Sequence, residues 1–457
     1  MTGIHIHPAS FRDPSGFVFE HNGKLYRQVN KVYKENYDLL MQSGLYTHLT
    51  NKKILLPHQE VSNHLPEGDD FYKLLLPDQL DFISYPYEWS FGQLKDAALL
   101  TLEIMNDSIE KAMILKDATP FNIQFYKGKP IFIDTLSFEK YDETRPWVAY
   151  RQFCECFLFP LLLGKYNNAG LLQLLGIYTE GIPVNLTAQL LPFKSRFNTG
   201  VWLHVFLQNR ISKKKDSGKS VSSFSKIKMR NLVRHLESVI QQLEPKTESH
   251  WSAYYRQTIL SKQYLYEKEK IVEEILASVQ GKKLLDLGTN DGYFSLLAAR
   301  KNFDVIAIDS DEQCADTLYQ KTKAEKIPNL LPLRIDITNP SPSTGFNNAE
   351  RPAFLERIKP DVIMALALVH HLVIGKNIPL HAIAALLYKL TPRLIIEFIP
   401  REDEKTKQLM LLKKDIYTGY TKNAFESSFK KYFLIEKEVP VPGTERVIYL
   451  MKRTGQL

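Results

Sequence analysis

Residues Lys282 to Ser295 read KKLLDLGTNDGYFS. A short apolar pair, Leu284-Leu285, breaks at Asp286-Leu287-Gly288, and an apolar run restarts at Tyr293-Phe294-Ser295-Leu296-Leu297. That pattern predicts a buried strand, a glycine-bearing turn and the start of a helix, the place where an α/β sheet receives a nucleotide-like ligand.

Charge selects the ligand. A dinucleotide turn brings backbone N–H groups and a helix N-terminus up to a pyrophosphate, so carboxylates at the strand end and inside the loop would repel it. Asp286 and Asp291 hold those two places. A sulfonium cation carrying adenosine and an amino-acid tail has no phosphate and tolerates both acids, while Gly288 and Gly292 leave room for close approach. S-adenosylmethionine (SAM) fits better than NAD.

Outward from this turn, four more apolar runs follow. Asp304–Asp309 (DVIAID) ends in an acid 17 residues after Gly292, where a carboxylate can accept both ribose hydroxyls, so Asp309 is the ribose candidate. Leu331–Asp336 (LPLRID) ends in Asp336, placed for the adenine amino group, and Asp361–Leu366 and Arg393–Phe398 are the fourth and fifth strands. Tyr432–Val439 and Arg446–Met451 read as two final strands joined by 440–445.

The series resembles the class I SAM-dependent methyltransferases. Trp251, the LALVHHL after strand four and the IIEFIPRED after strand five are similar to the NoeA-like (nodulation-protein) methyltransferases, over roughly Trp251 to Lys452. Asn290 stands where many relatives carry glycine. The resemblance implies a seven-stranded Rossmann-like sheet with an antiparallel edge, SAM as cofactor, Asp286, Gly288, Asn290 and Gly292 at its amino-acid end, Asp309 on the ribose and Asp336 near the adenine.

Methyl transfer is an in-line displacement in which positioning supplies most of the rate. The residues expected to face the methyl, Ala367 to Leu372 (ALVHHL), contain no Asn/Asp-Pro-Pro-aromatic motif and no Pro-Cys, so base-modifying routes are disfavoured. His370 and His371 would diverge by about 100° on a helix, leaving one toward the pocket. His370, first after the strand, is the candidate base for a hydroxyl or amine acceptor; the plainer alternative is a histidine that packs below the cofactor. Glu397, Glu402 and Asp403 are further acids on that side. Small molecule, glycan, protein and lipid precursor all stand as acceptors, and a SAM-binding scaffold without turnover is the competing class.

The chain has 457 residues, 44% of them hydrophobic, enough for two or three domains with full cores. Three cysteines, Cys154, Cys156 and Cys314, do not make a disulfide framework, and a reducing, cytoplasmic setting is expected. The start has no basic-then-apolar signal, and no stretch reaches the roughly 18 apolar residues of a membrane span. Net charge is +8, but Ile211–Arg230 alone carries seven Lys/Arg and one Asp, net +6, so the basicity is local and reads as a solvated linker, with nucleic acid the lesser reading. The expected division is 1–210, a basic linker and short helix at 211–250, and 251–457.

Toward the N-terminus a second pattern emerges. Phe17–Glu20 and Lys24–Val29 flank Asn22-Gly23 as a hairpin, Tyr33–Ser43 has helical spacing, Ile54–Leu56, Phe71–Leu76 and Phe82–Tyr85 read as strands, and Leu94–Ile114 as a long helix. Within Ile114–Phe138, Asp117, then Asn122 five residues on, then the hairpin Tyr126-Lys127-Gly128-Lys129 and a strand ending in Asp134 resemble the catalytic loop and metal-binding strand of protein-kinase-like and aminoglycoside-phosphotransferase-like folds. That resemblance implies an α+β domain with Asp117 as base, Asn122 and Asp134 as metal ligands for a nucleotide, Pro86–Trp89 at the hinge and Arg27 in the third-strand lysine's place, paired with Glu35. No GxGxxG loop precedes the strands and Thr135-Leu136 follow Asp134, so phosphoryl transfer is not expected; a bifunctional phosphotransferase/methyltransferase is the alternative. The local reading is a loop whose Asp117 and Asn122 make turn hydrogen bonds. Trp147–Leu163 is apolar enough to be buried, with Cys154 and Cys156 as core residues on different helix faces. Asn231–Leu243 is a short helix, Trp251, Tyr254 and Tyr255 a lid or a packed helix, and 337–360 a substrate-side cover or mobile loop.

Overall fold

The computed structural model describes residues 4–62, 68–213, 224–246, 262–411 and 417–455. The expectations for the linker at 214–223 and for Trp251, Tyr254 and Tyr255 lie outside the described residues. The chain divides into two compact units, Met1–Glu248 with Pro342–Ala353, and Ser249–Ser341 with Phe354–Leu457.

The first unit begins with a five-stranded antiparallel sheet. Its strands are β1 (His5–Ile6), β2 (Gly16–His21), β3 (Lys24–Asn30), β4 (His58–Glu60) and β5 (Phe71–Pro77), in the order β1-β2-β3-β5-β4. His21 pairs with Lys24 across a two-residue turn in which Asn22 and Gly23 both have positive φ, 53° and 72°, the I′ geometry that matches strand twist. Helix α1 (Lys34–Gln42) follows β3, and Val29, Tyr33, Tyr37 and Leu75 form the core between helix and sheet.

Two expected strands did not form. Phe82–Tyr85 is irregular because the buried amide of Gln124 takes the place of a ladder partner, accepting from Ser84 N at 2.9 Å and donating to Ser84 O at 2.9 Å. Ile54–Leu56 contributes one bridge, Leu55 to Phe132. Helix α2 (Phe91–Glu110) is capped by Ser90 and Gln93, which bond reciprocally to each other's backbone. It ends earlier than expected because Ala112 turns left-handed (φ 57°) and Met113–Leu115 becomes strand β6. Strands β7 (Ile123–Tyr126) and β8 (Lys129–Phe132) form the expected hairpin, and β9 (Phe138–Lys140) pairs with β6. Beyond it the unit is helical, and Cys154 and Cys156 are buried free thiols. Helix α3 (Lys226–Gln241) starts before the predicted Asn231.

The second unit holds a seven-stranded sheet. After α4 (Lys262–Ser278) come β10 (Lys283–Leu287), α5 (Tyr293–Arg300), β11 (Asp304–Asp309), α6 (Glu312–Glu325), β12 (Leu330–Arg334), β13 (Val362–Ala365), α7 (Leu380–Leu390), β14 (Arg393–Phe398), α8 (Glu404–Met410), β15 (Phe433–Pro440) and β16 (Val447–Arg453). The sheet order is β12-β11-β10-β13-β14-β16-β15, with β10 to β14 parallel. Parallel strands covered on both faces bury most of their side chains, which is why each reads as a largely apolar run. The last two strands form the expected antiparallel edge, with β16 inserted between β14 and β15 and antiparallel to both. Leu284, Val305, Met364, Ile395 and Ile448 pack under Val272 and Ile275 of α4, Leu296 and Leu297 of α5, and Leu318 of α6.

The segment 337–360 holds a pinned excursion. Its ends are tied by the Phe354 N–H donating to Ser341 O at 3.0 Å, and Thr344 bridges Arg351. Pro342–Ala353 belongs to the first unit, where buried Glu350 accepts from Arg12 Nη2 at 2.7 Å and from Phe346 N at 2.9 Å.

Candidate active site

The turn after β10 is anchored to the end of β11. Gly288 N and Thr289 N donate to Ile308 O at 2.9 and 3.1 Å, and Asn290 N donates to Asp309 Oδ2 at 2.8 Å. Gly288 and Gly292 have φ of 71° and 77°; a Cβ at Gly292 would come within 2.2 Å of Leu318 Cδ1, and one at Gly288 within 3.1 Å of Leu368 Cδ1. Asn290 is itself left-handed (φ 53°), which asparagine tolerates better than most residues and which explains how it stands in for glycine.

The two leading carboxylates do different things. Asp309 takes the Asn290 N–H on Oδ2 and the Asp311 N–H on Oδ1 at 2.9 Å, which leaves each oxygen a further lone pair toward a hydroxyl pair. Burial raises its pKa, with the backbone donors pulling the other way. Asp286 is buried and accepts from Ser295 Oγ at 2.5 Å, and Ser295 lies 2.5 Å from Thr289 Oγ1, so this acid locks the turn to the first coil of α5. Desolvation pushes its pKa up to about 6. Asp336 lies two residues beyond β12, next to the Ile335 N–H that donates to Asp309 O at 2.8 Å; its Oδ1 accepts from Thr338 N and Oγ1 at 2.8 and 2.7 Å.

On the β13 side the structure joins two of the acids named above, Glu397 and Asp403, to Lys268, Tyr264 and Arg446, which were not foreseen. Glu397, fully buried in β14, accepts at Oε2 from Lys268 Nζ (2.6 Å) and from the Ala367 N–H (2.8 Å), and at Oε1 from Tyr264 OH (3.3 Å). Arg446 donates to Tyr264 OH (2.7 Å) and in a fork to Asp403 (2.8 and 3.0 Å). Ala367 is held at φ 50°, a conformation costly for a residue with a Cβ, and next to it Leu368 rests against Gly288. Arg446 opens the last predicted strand and Lys268 stands in the Lys/Glu-rich stretch before the first, so only their burial marks them.

His370 is 2% exposed, and its Nδ1 has no hydrogen-bond partner. Burial, then the charges of His371, Arg446 and Lys268, lower its pKa well below the ordinary value. The two rings do not diverge as expected: residues 371–375 wind as a π-helix and the ring centroids are 4.2 Å apart. Beside them an almost wholly aliphatic cavity of about 50 Å³ is lined by Leu287, Leu368, Leu372, Ile383 and Ile396 among others, with Thr338 the one polar residue in its wall.

In the first unit, Asp117, Asn122 and Asp134 do come together. Asn122 Nδ2 donates to Asp117 Oδ2 at 3.1 Å and to Ser137 Oγ at 3.0 Å, while Ser137 Oγ donates to Asp134 Oδ2 at 2.6 Å. Asp134 Oδ1 receives Leu136 N and Arg27 Nη2, at 3.1 and 2.9 Å. Arg27 therefore pairs with Asp134; Glu35 is exposed on α1, which corrects the expected Arg27–Glu35 pair. Burial and the neighbouring Asp134 raise the pKa of Asp117.

No protein-family model matches the chain. Among solved structures it is similar to the bifunctional kinase-methyltransferase WbdD (15% identity over 42% of this chain and 39% of WbdD, TM-score 0.30). It is similar too to the N-methyltransferase NodS of Bradyrhizobium japonicum WM9 (12%, 43% and 99%, 0.32) and to magnesium protoporphyrin IX methyltransferase of Synechocystis PCC 6803 with bound SAM (15%, 45% and 92%, 0.33). Along nearly its whole length it is 30% identical to nodulation protein NoeA of Rhizobium meliloti (strain 1021), covering 97% of this chain and 95% of that protein. The chain belongs to the NoeA family of nodulation proteins.

Proposed function

We propose that the second unit is a SAM-dependent methyltransferase acting on a small-molecule, glycan or protein acceptor, and that the first unit recognises that acceptor or organises the enzyme without transferring phosphate. The observation that carries the reading is the turn itself: a glycine pair at positive φ, anchored to Asp309 and flanked by Asp286 and Asp291. Three carboxylates around a helix start suit a cationic ligand with a ribose and oppose a pyrophosphate.

Gly288, Asn290 and Gly292 would line the amino-acid end, with Asp286 bracing the turn beneath them, Asp309 would accept the ribose hydroxyls and Asp336 would meet the adenine amino group. Bound SAM supplies an electrophilic methyl on its sulfonium. The chain's part is to hold the acceptor in line and exclude water, through Leu368 against the turn and the Glu397 network that fixes the Ala367 backbone. A neutral His370 is available to take the acceptor's proton at its unpaired Nδ1. The test is transfer of labelled methyl from SAM to components of a cell extract by the purified protein. Labelled product that is lost in Asp309→Ala supports the reading, and SAM binding without product from any extract would leave a scaffold.

In the first unit, Arg27 neutralises Asp134 and Asn122 is spent on Asp117 and Ser137, an arrangement that supports a structural or nucleotide-holding role over phosphoryl transfer.

A further inference from the structure

Six of the seventeen exposed large hydrophobic side chains among the described residues fall within the 22 residues from Leu190 to Ile211. Phe193 and Phe197 are 69% and 78% exposed, and Trp202, Leu203 and Ile211 follow on the next helix. Such a concentration on a soluble surface marks an interaction site.

The patch is built, not frayed. A 3₁₀ turn, Phe193–Phe197, is anchored by fully buried Ser195, whose hydroxyl donates to Pro192 O at 2.7 Å, so Phe193 and Phe197 project outward, edge to face at 5.7 Å. Asn198 then caps a continuous helix by accepting from Val201 N at 3.0 Å. The Arg196 guanidinium lies 5.3 Å from the Phe193 ring and 5.0 Å from that of Phe206, tying turn to helix while its charge stays exposed. Through Trp202–Leu207 the helix widens to π winding, with Trp202 and Leu203 outward and His204 and Val205 inward.

Charge decides what covers it. From Gly181 to Lys215 the sequence has six Lys/Arg, namely Lys194, Arg196, Arg210, Lys213, Lys214 and Lys215, and no Asp or Glu. Aromatic and aliphatic side chains interleaved with cations, and free of acids, match the boundary of an anionic bilayer, where rings enter the headgroup layer and cations meet phosphates. A nucleic acid would leave Leu203 and Ile211 without a partner.

We propose that this face of the first unit docks peripherally on a membrane surface rich in anionic lipids. The test is flotation of the full chain with phosphatidylcholine vesicles with and without phosphatidylserine. The protein is expected to float only with the anionic vesicles, less so at high salt, and the double variant Phe193→Ser/Phe197→Ser is expected to bind at least about tenfold more weakly with unchanged thermal unfolding. Should that variant fail to fold, Lys194→Gln/Arg210→Gln gives the same reading through charge. No flotation of the wild type, or equal flotation of folded variants, overturns the proposal. So does a patch that instead retards an RNA or DNA oligonucleotide, or one whose substitution splits a dimer, while vesicles are ignored.

Discussion

Lys268 Nζ lies 2.6 Å from Glu397 Oε2, both side chains out of solvent, and that same oxygen takes the N–H of Ala367. One carboxylate therefore balances a buried cation and fixes a left-handed residue beside the proposed cofactor turn. Removing one member of a buried pair leaves an uncompensated charge, at a cost of roughly 3–5 kcal/mol. Glu397→Leu should be the more damaging change, because it takes the carboxylate from Lys268 and the Ala367 N–H and removes one partner of the Tyr264 hydroxyl. Lys268→Met should cost less, and the double variant less than the sum. Thermal and urea unfolding check this; two near-neutral single variants would mean that the network holds nothing.

The buried histidines make stability fall with acid. Burial lowers the pKa of His58, His204 and His371 to about 4, and holds that of His370 well below its ordinary value. In each case the unfolded chain binds the proton first, so stability is complete above the ordinary value of 6.5 and is lost as pH falls toward the folded values, by roughly 1.4 kcal/mol per pH unit per group. Asp286, raised to about 6, acts in the opposite direction below that pH. Between pH 6.5 and 6 these histidines act without that offset, and unfolding midpoints should already decline there. His370→Gln should soften the loss. A base at His370, held well below the ordinary imidazole value, would already be neutral at 6.5, so methyl transfer should show no rise there; a rise near 6.5 would assign the base elsewhere.

Magnesium-dependent ATP consumption should be absent from the purified protein. Arg27 occupies Asp134, and no glycine loop precedes β2, so two parts of a triphosphate clamp are missing. Turnover that disappears in both Asp117→Asn and Asp134→Asn would contradict this and make the chain a two-headed enzyme.

The sheet of the second unit was legible because parallel strands buried on both faces leave unbroken apolar runs, and because Asp286 and Asp309 punctuate their ends. What stayed hidden depended on partners far along the chain. Lys268 is one charge among several in KQYLYEKEK (262–270), and the carboxylate that goes with its burial, Glu397, comes 129 residues later. Phe82–Tyr85 looked like a strand, yet its ladder partner is the side chain of Gln124. The two histidines were read as diverging by α-helical geometry, yet their rings approach to 4.2 Å where the chain enters the π-wound turn 371–375. Asp286 was legible as a strand-end acid in type only; that its carboxylate turns inward to Ser295 is set by the packing of α5.

The most direct test of the account is calorimetric titration of SAM and S-adenosylhomocysteine into the full chain and into Asp309→Ala, with thermal unfolding as the control for the two backbone bonds Asp309 accepts. The wild type is expected to bind and a folded Asp309→Ala to bind at least about tenfold more weakly, since two charge-assisted hydrogen bonds to the ribose are lost. Absence of binding to the wild type, or equal affinity in the variant, would contradict it.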